Sequence, residues 1–254
     1  MSAERPLALV TGGWRRIGAA IARTLAADGW DLVLHAHHSD TFEDGLQAAL
    51  EASGATVFRV IADLGHAPSA EALPANARRL AGRAASLLVN NASLFSEDTI
   101  GTVTADALEG HFHVNLFAPV LMARAFAAEL DGGKGAIVNV LDQRVANPVP
   151  DQTSYTLSKQ ALHAAVRTLA RSLAPRIRVN GVAPGLTLPT DDYGDDQWER
   201  LARLMPLDRL AEPGEIAEAV RYLARAGAVT GQTVFVDAGA HLESYPRDFV
   251  YMET

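Results

Sequence analysis

Short apolar runs alternate along the chain with longer segments in which apolar residues recur at helical spacing. The runs are rich in Val, Ile and Leu and lack alternation with polar residues, which is typical of parallel strands covered on both faces. The longer segments have the period of helices that pack one face on a sheet. Predicted strands are Leu7–Thr11, Asp31–His35, Thr56–Ile61, Leu87–Asn90, Ala136–Leu141, Ile177–Val182 and Thr233–Val236, and predicted helices lie near 16–28, 43–53, 69–83, 105–130, 152–173 and 213–225.

This strand–helix repetition predicts an α/β fold, a doubly wound, Rossmann-type parallel sheet of about seven strands with helices on both faces. No shift in composition marks a second domain, so we expect a single domain over 1–254. The stretch at about 183–212 begins with a Pro/Gly/Asp-rich loop, which we expect to cover a substrate. The tail at 241–254 shows no obvious secondary structure, and we expect it to pack on the body or on a neighbouring subunit.

The amino-acid composition excludes several functional classes. A net charge of −8 argues against a general nucleic-acid role, which needs a basic face. The absence of cysteine excludes disulfides and Cys-ligated metals. Residues 1–6 form no hydrophobic signal core, and no stretch approaches the roughly 18 uncharged residues of a membrane span. We therefore expect a cytoplasmic protein with no nucleic-acid or membrane partner.

A glycine cluster joins the first strand to the first helix. Gly12, Gly13 and Gly18 allow a tight turn and close backbone approach, which places a pyrophosphate on the helix N-terminus. A plain strand-to-helix turn is the alternative. The position of the cluster in the first strand–helix unit favours a dinucleotide site.

The end of the second strand indicates which dinucleotide. An NAD site usually has an acid there, whereas this strand ends with His35, His37 and Ser39, and no acid occurs until Asp40. With Arg16 in the glycine loop, these groups suit a 2′-phosphate and predict NADPH. The alternatives are a solvated histidine loop, or a metal site, for which no further ligand stands at suitable spacing. We expect no metal.

Tyr155 and Lys159 are four residues apart and share one face of a predicted helix. An ammonium near a phenol stabilises the phenolate, so the pair predicts an acid usable near neutral pH. An ordinary exposed pair is the alternative. Asp142 lies thirteen residues before the tyrosine.

Together these motifs resemble the short-chain dehydrogenase/reductase family from Leu9 to about Gly239. In that family the tyrosine exchanges the proton, the lysine also holds the nicotinamide ribose, and an asparagine at the position of Asn115 orders a relay water. The expected catalytic residues are thus Asp142, Tyr155, Lys159 and Asn115. The expected cofactor-binding residues are Gly12, Arg16, Ile17, Gly18, His35, His37, Ser39, Asp63, Leu64, Asn91, Ala92, Lys159, Pro184 and Gly185.

Two positions depart from the family pattern. Asp142 replaces the usual catalytic serine, and the late Asp-Gly-Gly signature reads Asp237–Ala–Gly239. The first departure, the glycine loop and the segment Val89–Phe95 resemble the pteridine reductases and dihydromonapterin reductases, in which an aromatic residue stacks the pterin against the nicotinamide. The resemblance implies a homotetramer and a pterin-like small-molecule substrate, bound by Arg16, Ser93, Phe95, Asp142, Tyr155 and Leu186.

Electrostatics supports this interpretation of Asp142. A ketone reductase needs hydrogen-bond donors for a developing oxyanion, which an ionised carboxylate would repel. Reduction of a C=N bond instead builds charge on a nitrogen that must be protonated. We therefore expect reduction of a dihydropterin to a tetrahydropterin with Tyr155 as the proton donor. The alternatives are reduction of another carbonyl or imine, such as a 3-oxoacyl thioester or sugar ketone, a silent NADPH-binding protein, and a purely structural Asp142.

Overall fold

One parallel sheet organises the protein. The computed structural model describes residues 5–38, 45–189, 193 and 197–252, so Ser39 and part of the predicted substrate loop lie outside the described residues. The strands are β1 (Leu7–Thr11), β2 (Asp31–Ala36), β3 (Val57–Ile61), β4 (Leu87–Asn90), β5 (Gly135–Val140), β6 (Ile177–Pro184) and β7 (Thr233–Val236). Their order is β3-β2-β1-β4-β5-β6-β7, which confirms the predicted doubly wound sheet. The carboxyl ends of β1, β4 and β5 therefore lie side by side.

Helices cover both faces of the sheet. They are α1 (Arg16–Ala27), α2 (Leu46–Ala52), α3 (Ala67–Ala81), α4 (Ala105–Phe112), α5 (Ala118–Glu129), α6 (Thr153–Leu173), α7 (Gln197–Ala202) and α8 (Pro213–Arg225). On one face Leu25 of α1 and Val220 of α8 are fully buried in one core cluster. On the other face Met122 and Phe126 of α5 are buried in a second cluster. Burial on both faces explains the continuous apolar strands.

The predicted helix at 105–130 is interrupted. A π-helical turn at His113–Phe117 separates α4 from α5. Pro119, in the first turn of α5, has no N–H to donate to the carbonyl of Asn115, and its ring would clash with that carbonyl in a continuous α-helix. The wider turn avoids this clash and carries Asn115, which is 1% exposed. Single π turns of this kind frequently mark functional sites.

The C-terminal segment is more regular than its sequence indicated. It forms 3₁₀ turns at Ala240–Leu242 and Phe249–Tyr251, and Phe249 is buried against the body. The short helix α7 was also not predicted. Within the described ranges, no helix is both long and apolar enough to cross a membrane.

Thr11 ties the end of β1 to the end of β4. Its hydroxyl donates to the carbonyl of Val89 and accepts from the backbone N–H groups of Asn91 (2.9 Å) and Ala92 (3.0 Å). One side chain thus fixes the distance between the glycine turn after β1 and the turn after β4.

We predict that Thr11→Val lowers the free energy of unfolding by about 2–4 kcal/mol, because two partly buried N–H groups lose their acceptor. Thr11→Ser keeps the hydroxyl and should lose less than about 1 kcal/mol. Urea unfolding of the ligand-free proteins measures both. Equal stability of the two variants would contradict this role for the hydroxyl.

Candidate active site

The glycine turn after β1 brings two stretches of backbone into contact. A Cβ on Gly18 would lie 1.9 Å from the carbonyl oxygen of Gly12, so only glycine fits there. The first helix begins at this turn, and no side chain caps its N-terminus. Its first N–H groups therefore suit an anionic ligand, as expected for a dinucleotide pyrophosphate. The close backbone approach and the uncapped helix N-terminus therefore fit a dinucleotide pyrophosphate at this turn.

Arg16 stands at the start of α1 with a φ of +53°, in the left-handed region that non-glycine residues rarely adopt. Its side chain is exposed, and that of Ile17 is half-buried. Strained backbone of this kind tends to occur at functional sites. Arg16 therefore lies where the sequence predicted an anion contact.

His37 and Asp63 face each other at the ends of β2 and β3. His37 Nδ1 lies 3.5 Å from Asp63 Oδ1, and about half of each side chain is exposed. The same Asp63 oxygen accepts a hydrogen bond from the N–H of Gly65. Leu64, predicted with Asp63 to bind the cofactor, is 4% exposed and packs in the core. The structure thus brings His37 and Asp63 to the site and buries the side chain of Leu64.

His35 has a different position from the one expected. It is 1% exposed, and its two ring nitrogens contact the N–H of Gly12 (3.3 Å) and the carbonyl of Ala62 (2.9 Å). Burial lowers its pKa, which favours the neutral ring. Both ring nitrogens of His35 thus hold the glycine turn against the end of β3, and a contact of His35 with the cofactor stays a prediction.

Asn91 connects the turn after β4 to the glycine turn. Its amide nitrogen donates to the carbonyls of Thr11 (2.9 Å) and Gly12 (3.1 Å). Ala92 follows with a half-buried side chain. Both residues lie beside the glycine turn, as predicted.

A hydrogen bond joins Tyr155 to Asp142. The tyrosine hydroxyl donates to Asp142 Oδ2 at 2.8 Å, and Asp142 Oδ1 accepts from the N–H of Arg144 at 2.9 Å. Tyr155 comes from the first turn of α6, whereas Asp142 follows β5. Tyr155 is 7% exposed, and the Asp142 side chain is 21% exposed. The predicted residues therefore meet, with the carboxylate nearer to solvent.

Lys159 lies one helical turn from Tyr155. Its ammonium donates to the carbonyl of Val140 at 2.8 Å and lies 5.8 Å from the centre of the tyrosine ring. Burial lowers the pKa of Lys159 from 10.5 to about 8, against the opposing effect of Asp142. The lysine is thus held at the end of β5, beside the carboxylate.

The pKa of Tyr155 differs from the sequence-based expectation. Burial raises it well above the ordinary value, and the charge of Asp142 raises it further, whereas the charge of Arg144 lowers it. The prediction that Lys159 makes the phenol acidic is wrong for the ligand-free protein. The hydroxyl instead stays protonated and donates to a carboxylate.

Asn115 supports the segment that precedes Phe95. Its Oδ1 accepts from the N–H of Leu94 (2.8 Å) and the hydroxyl of Ser93 (3.1 Å), and its Nδ2 donates to the carbonyl of Leu94 and the hydroxyl of Ser158, both at 2.9 Å. The amide is therefore fully used within the protein. Its side chain thus positions the Ser93–Phe95 segment, and the ordering of a relay water at Asn115 stays a prediction.

Phe95 presents an exposed ring next to Tyr155. The ring is 52% exposed and contacts the tyrosine edge-to-face, with 4.8 Å between the centroids. Ser93, two residues earlier, is also exposed. An exposed aromatic ring beside a buried hydroxyl can support a flat heteroaromatic ligand. Phe95 is therefore not part of the core.

The turn after β6 closes the other side of the site. A Cβ on Gly185 would lie 2.7 Å from the Cβ of Asp237, so the glycine permits close packing of this turn on the end of β7. Leu186 is half-buried against an apolar cluster that includes Phe249. Ala238 has a φ of +54°, so the departure from Asp-Gly-Gly keeps the left-handed turn without glycine.

Sequence reasoning missed Arg144. It is 8% exposed, donates to Gln152 Oε1 at 3.0 Å and forms an ion pair with Asp248. Its guanidinium lies 5.6 Å from the centre of the Tyr155 ring and 5.8 Å from that of Phe95. Its place two residues after Asp142 was the only signal in the sequence. Among the residues that the structure describes, no group of three or more His, Asp or Glu side chains is arranged to hold a metal ion.

Comparison with known proteins gives consistent matches over nearly the whole chain. The family model described as enoyl-(acyl carrier protein) reductase matches residues 13–241. Among curated proteins, the chain is 35% identical to Protein FixR of Bradyrhizobium diazoefficiens (94% of this chain, 88% of that protein) and 32% identical to Pteridine reductase 1 of Leishmania tarentolae (95% and 98%).

Among solved structures, FolM Alternative dihydrofolate reductase 1 from Brucella canis, complexed with NADP, superposes with a TM-score of 0.85. The two sequences are 40% identical, and the match covers 97% of this chain and 98% of that one.

We predict that Lys159 gives the ligand-free protein a distinct pH dependence of stability. Its folded pKa of about 8 lies below the ordinary value of 10.5, so the unfolded state binds more protons between these values and stability rises with pH. Relative to Lys159→Met, wild-type unfolding free energy should rise by up to about 3 kcal/mol from pH 7 to 10.5. Urea unfolding of both proteins measures it, and a pH-independent difference would contradict the shift.

Proposed function

The chain belongs to the short-chain dehydrogenase/reductase family, and on that premise we propose that it is an NADPH-dependent reductase that converts a dihydropterin to a tetrahydropterin. The hydrogen bond from Tyr155 to Asp142 is the observation that carries this proposal. The similarity to Pteridine reductase 1 and to FolM Alternative dihydrofolate reductase 1 supports it.

We assign the cofactor to the groove over the carboxyl ends of β1, β2 and β4. The uncapped N-terminus of α1 holds the pyrophosphate, and Arg16 and His37 hold the 2′-phosphate. Asn91 and Lys159 border the nicotinamide end. When bound, NADPH supplies the hydride.

The Tyr155–Asp142 pair suits a C=N bond better than a ketone. A ketone reductase stabilises an oxyanion with two hydrogen-bond donors. Here Asp142 stands where the second donor would be, and its carboxylate accepts a hydrogen bond from the Tyr155 hydroxyl. A ring nitrogen that becomes anionic during reduction needs one proton, and one neutral phenol supplies it. The raised pKa of Tyr155 keeps that phenol protonated.

Asp142 provides the route by which the tyrosine is reprotonated. Its side chain is 21% exposed, whereas Tyr155 is buried. After Tyr155 gives its proton to the ring nitrogen, Asp142 takes up one proton from the bulk solvent and passes it to the phenolate across the 2.8 Å contact, which returns Asp142 to its ionised form. The positive charges of Lys159 and Arg144 stabilise the transient phenolate. Each turnover then consumes one hydride and one proton.

The pterin ring is assigned to the exposed face of Phe95. We assign Arg16, Ser93 and Leu186 to the same substrate site. Homotetramer assembly and a cytoplasmic location belong to the same proposal. Phe117 (44% exposed) and Leu157 (45% exposed) leave apolar surface near the π turn and on α6 that suits a subunit contact.

Reduction of a thioester-linked acyl substrate is the second candidate. The description of the matching family model, enoyl-(acyl carrier protein) reductase, favours it. An exposed aromatic ring gives no evident support to an extended acyl chain, and a carboxylate beside the tyrosine opposes an enolate oxyanion. A silent NADPH-binding protein would keep the cofactor groove without needing the Tyr155–Asp142 contact.

We predict a preference for NADPH over NADH of at least about tenfold in kcat/KM, since a charge-assisted contact contributes about 1.5–3 kcal/mol. Arg16→Asn removes the charge, and asparagine tolerates the left-handed backbone, so the preference should fall without loss of folding. Steady-state kinetics with both cofactors measures this. Equal values in the wild type would show that the 2′-phosphate contacts are misassigned.

We predict that Asp142→Ser lowers dihydropterin turnover by roughly 10²-fold or more, the size typical of lost acid–base assistance. Tyr155→Phe should lose at least as much. The dissociation constant of NADPH should hardly change in either variant, because the phosphates bind at the other end of the groove. Asp142→Ser also restores a hydroxyl donor, so ketone reduction should increase.

The two variants are informative together. If Asp142→Ser retains full dihydropterin reduction while Tyr155→Phe abolishes it, the carboxylate is structural. The argument for a C=N substrate would then be refuted.

A further inference from the structure

The C-terminal segment reaches the catalytic pair through one buried arginine. We define residues 245–252 as the C-terminal strap. Asp248 of the strap forms an ion pair with Arg144, and both side chains are almost fully buried, at 3% and 9% exposure. Arg144 in turn lies against Asp142 and Tyr155. The strap therefore acts on a site that is more than one hundred residues away in sequence.

Arg144 fixes which oxygen of Asp142 faces the tyrosine. Its backbone N–H holds Oδ1 at 2.9 Å, and its Nε lies 3.9 Å from the same oxygen. The other oxygen, Oδ2, accepts the hydrogen bond of the Tyr155 hydroxyl. The guanidinium is fixed from the opposite side by Gln152, through a 3.0 Å hydrogen bond, and by Asp248. Without Asp248 the buried guanidinium would lose its nearest countercharge and would turn toward Asp142 or solvent.

Asp248 is itself held in place. Its N–H donates to Asp151 Oδ2 at 2.7 Å, and its Oδ1 accepts from the N–H of Val250 at 3.0 Å. Arg247 binds the same Asp151 with two nitrogens. Phe249 is 5% exposed against Leu201 of α7 and its neighbours. Contacts other than the ion pair with Arg144 thus hold the strap in its conformation.

The strap also binds the helix that follows the substrate loop. Gln197, the first residue of α7, donates from Nε2 to the carbonyls of Phe249 (3.0 Å), Val250 (3.1 Å) and Met252 (3.2 Å). Hence one segment supports both α7 and the guanidinium beside Asp142. The position of α7 and the orientation of the carboxylate therefore share a support.

From these contacts we propose that Arg144 and Asp248 are positioning residues. The strap holds Arg144 through Asp248, and Arg144 holds Asp142 so that Oδ2 accepts the hydrogen bond of Tyr155. The inference rests on the proposed function only in taking Tyr155 as the proton donor, and it holds for any substrate that receives that proton.

The test uses three variants of the full chain and one matched control. Arg144→Met should lower kcat by about 10²-fold, since small misplacements of a reacting group have effects of this size. Asp248→Asn keeps the shape and the backbone contact but removes the charge, and it should lower kcat by about tenfold. The kcat of the double variant, Arg144→Met with Asp248→Asn, should equal that of Arg144→Met alone, because Asp248 acts through Arg144. The KM for NADPH should stay within about twofold throughout.

Asp31→Asn is the control for a loss of stability alone. Asp31 is another buried carboxylate with an arginine partner, Arg83 at 2.5 Å, but it lies at the amino end of β2, whereas the site lies at the carboxyl ends of the strands. Its kcat should equal that of the wild type. A crystal structure of Arg144→Met should also show the Tyr155–Asp142 hydrogen bond broken.

Three outcomes overturn the proposal: wild-type kcat in folded Asp248→Asn, multiplying losses in the double variant, or an intact Tyr155–Asp142 bond in Arg144→Met. If Asp248→Asn does not fold, Arg144→Lys replaces it, because lysine keeps the charge but cannot contact Asp142, Gln152 and Asp248 together. Wild-type kcat in that variant overturns the proposal equally. All ratios are measured with whichever substrate the wild type reduces, so absence of pterin turnover refutes the proposed function separately.

Discussion

The hydrogen bond from the buried hydroxyl of Tyr155 to the carboxylate of Asp142 is the contact on which the rest of the site depends. It keeps the phenol protonated, because the neighbouring negative charge and the burial both raise its pKa. It also removes the second donor that an oxyanion would need. Two cations, Lys159 and Arg144, lie 5.8 and 5.6 Å from the centre of the tyrosine ring, and in the proposed reaction Tyr155 is the proton donor.

The fold supplies this contact by placing unrelated segments at one edge of the sheet. Asp142 follows β5, Tyr155 begins α6 and Phe95 follows β4, and these meet because parallel strands end at the same side. Polar side chains then join the turns to one another. Thr11 and Asn91 connect the turns after β1 and β4, and Asn115 fixes the backbone of the segment that carries Phe95. The chemistry therefore depends on hydrogen bonds that are not themselves catalytic.

Much of this architecture could be predicted from local sequence, and the remainder could not for identifiable reasons. Apolar runs predicted all seven strands of the described sheet, and residue spacing predicted that Tyr155 and Lys159 share a helix face. The position of His35 at a strand end does not reveal that both of its ring nitrogens have backbone partners. The direction of the Tyr155 pKa depends on burial, and the Arg144–Asp248 pair joins residues too distant in sequence for any periodic pattern to indicate.

We propose that the carboxylate of Asp142 beside Tyr155 selects a C=N bond over a ketone. The most direct test compares kcat/KM of the wild-type protein, with NADPH, for dihydromonapterin, dihydrobiopterin and dihydrofolate against a 3-oxoacyl thioester and simple ketones. We expect the best dihydropterin to exceed every ketone by at least about 10²-fold, the factor that misplaced oxyanion donors cost in other enzymes. A 3-oxoacyl thioester or ketone reduced as fast as the dihydropterins would contradict the account.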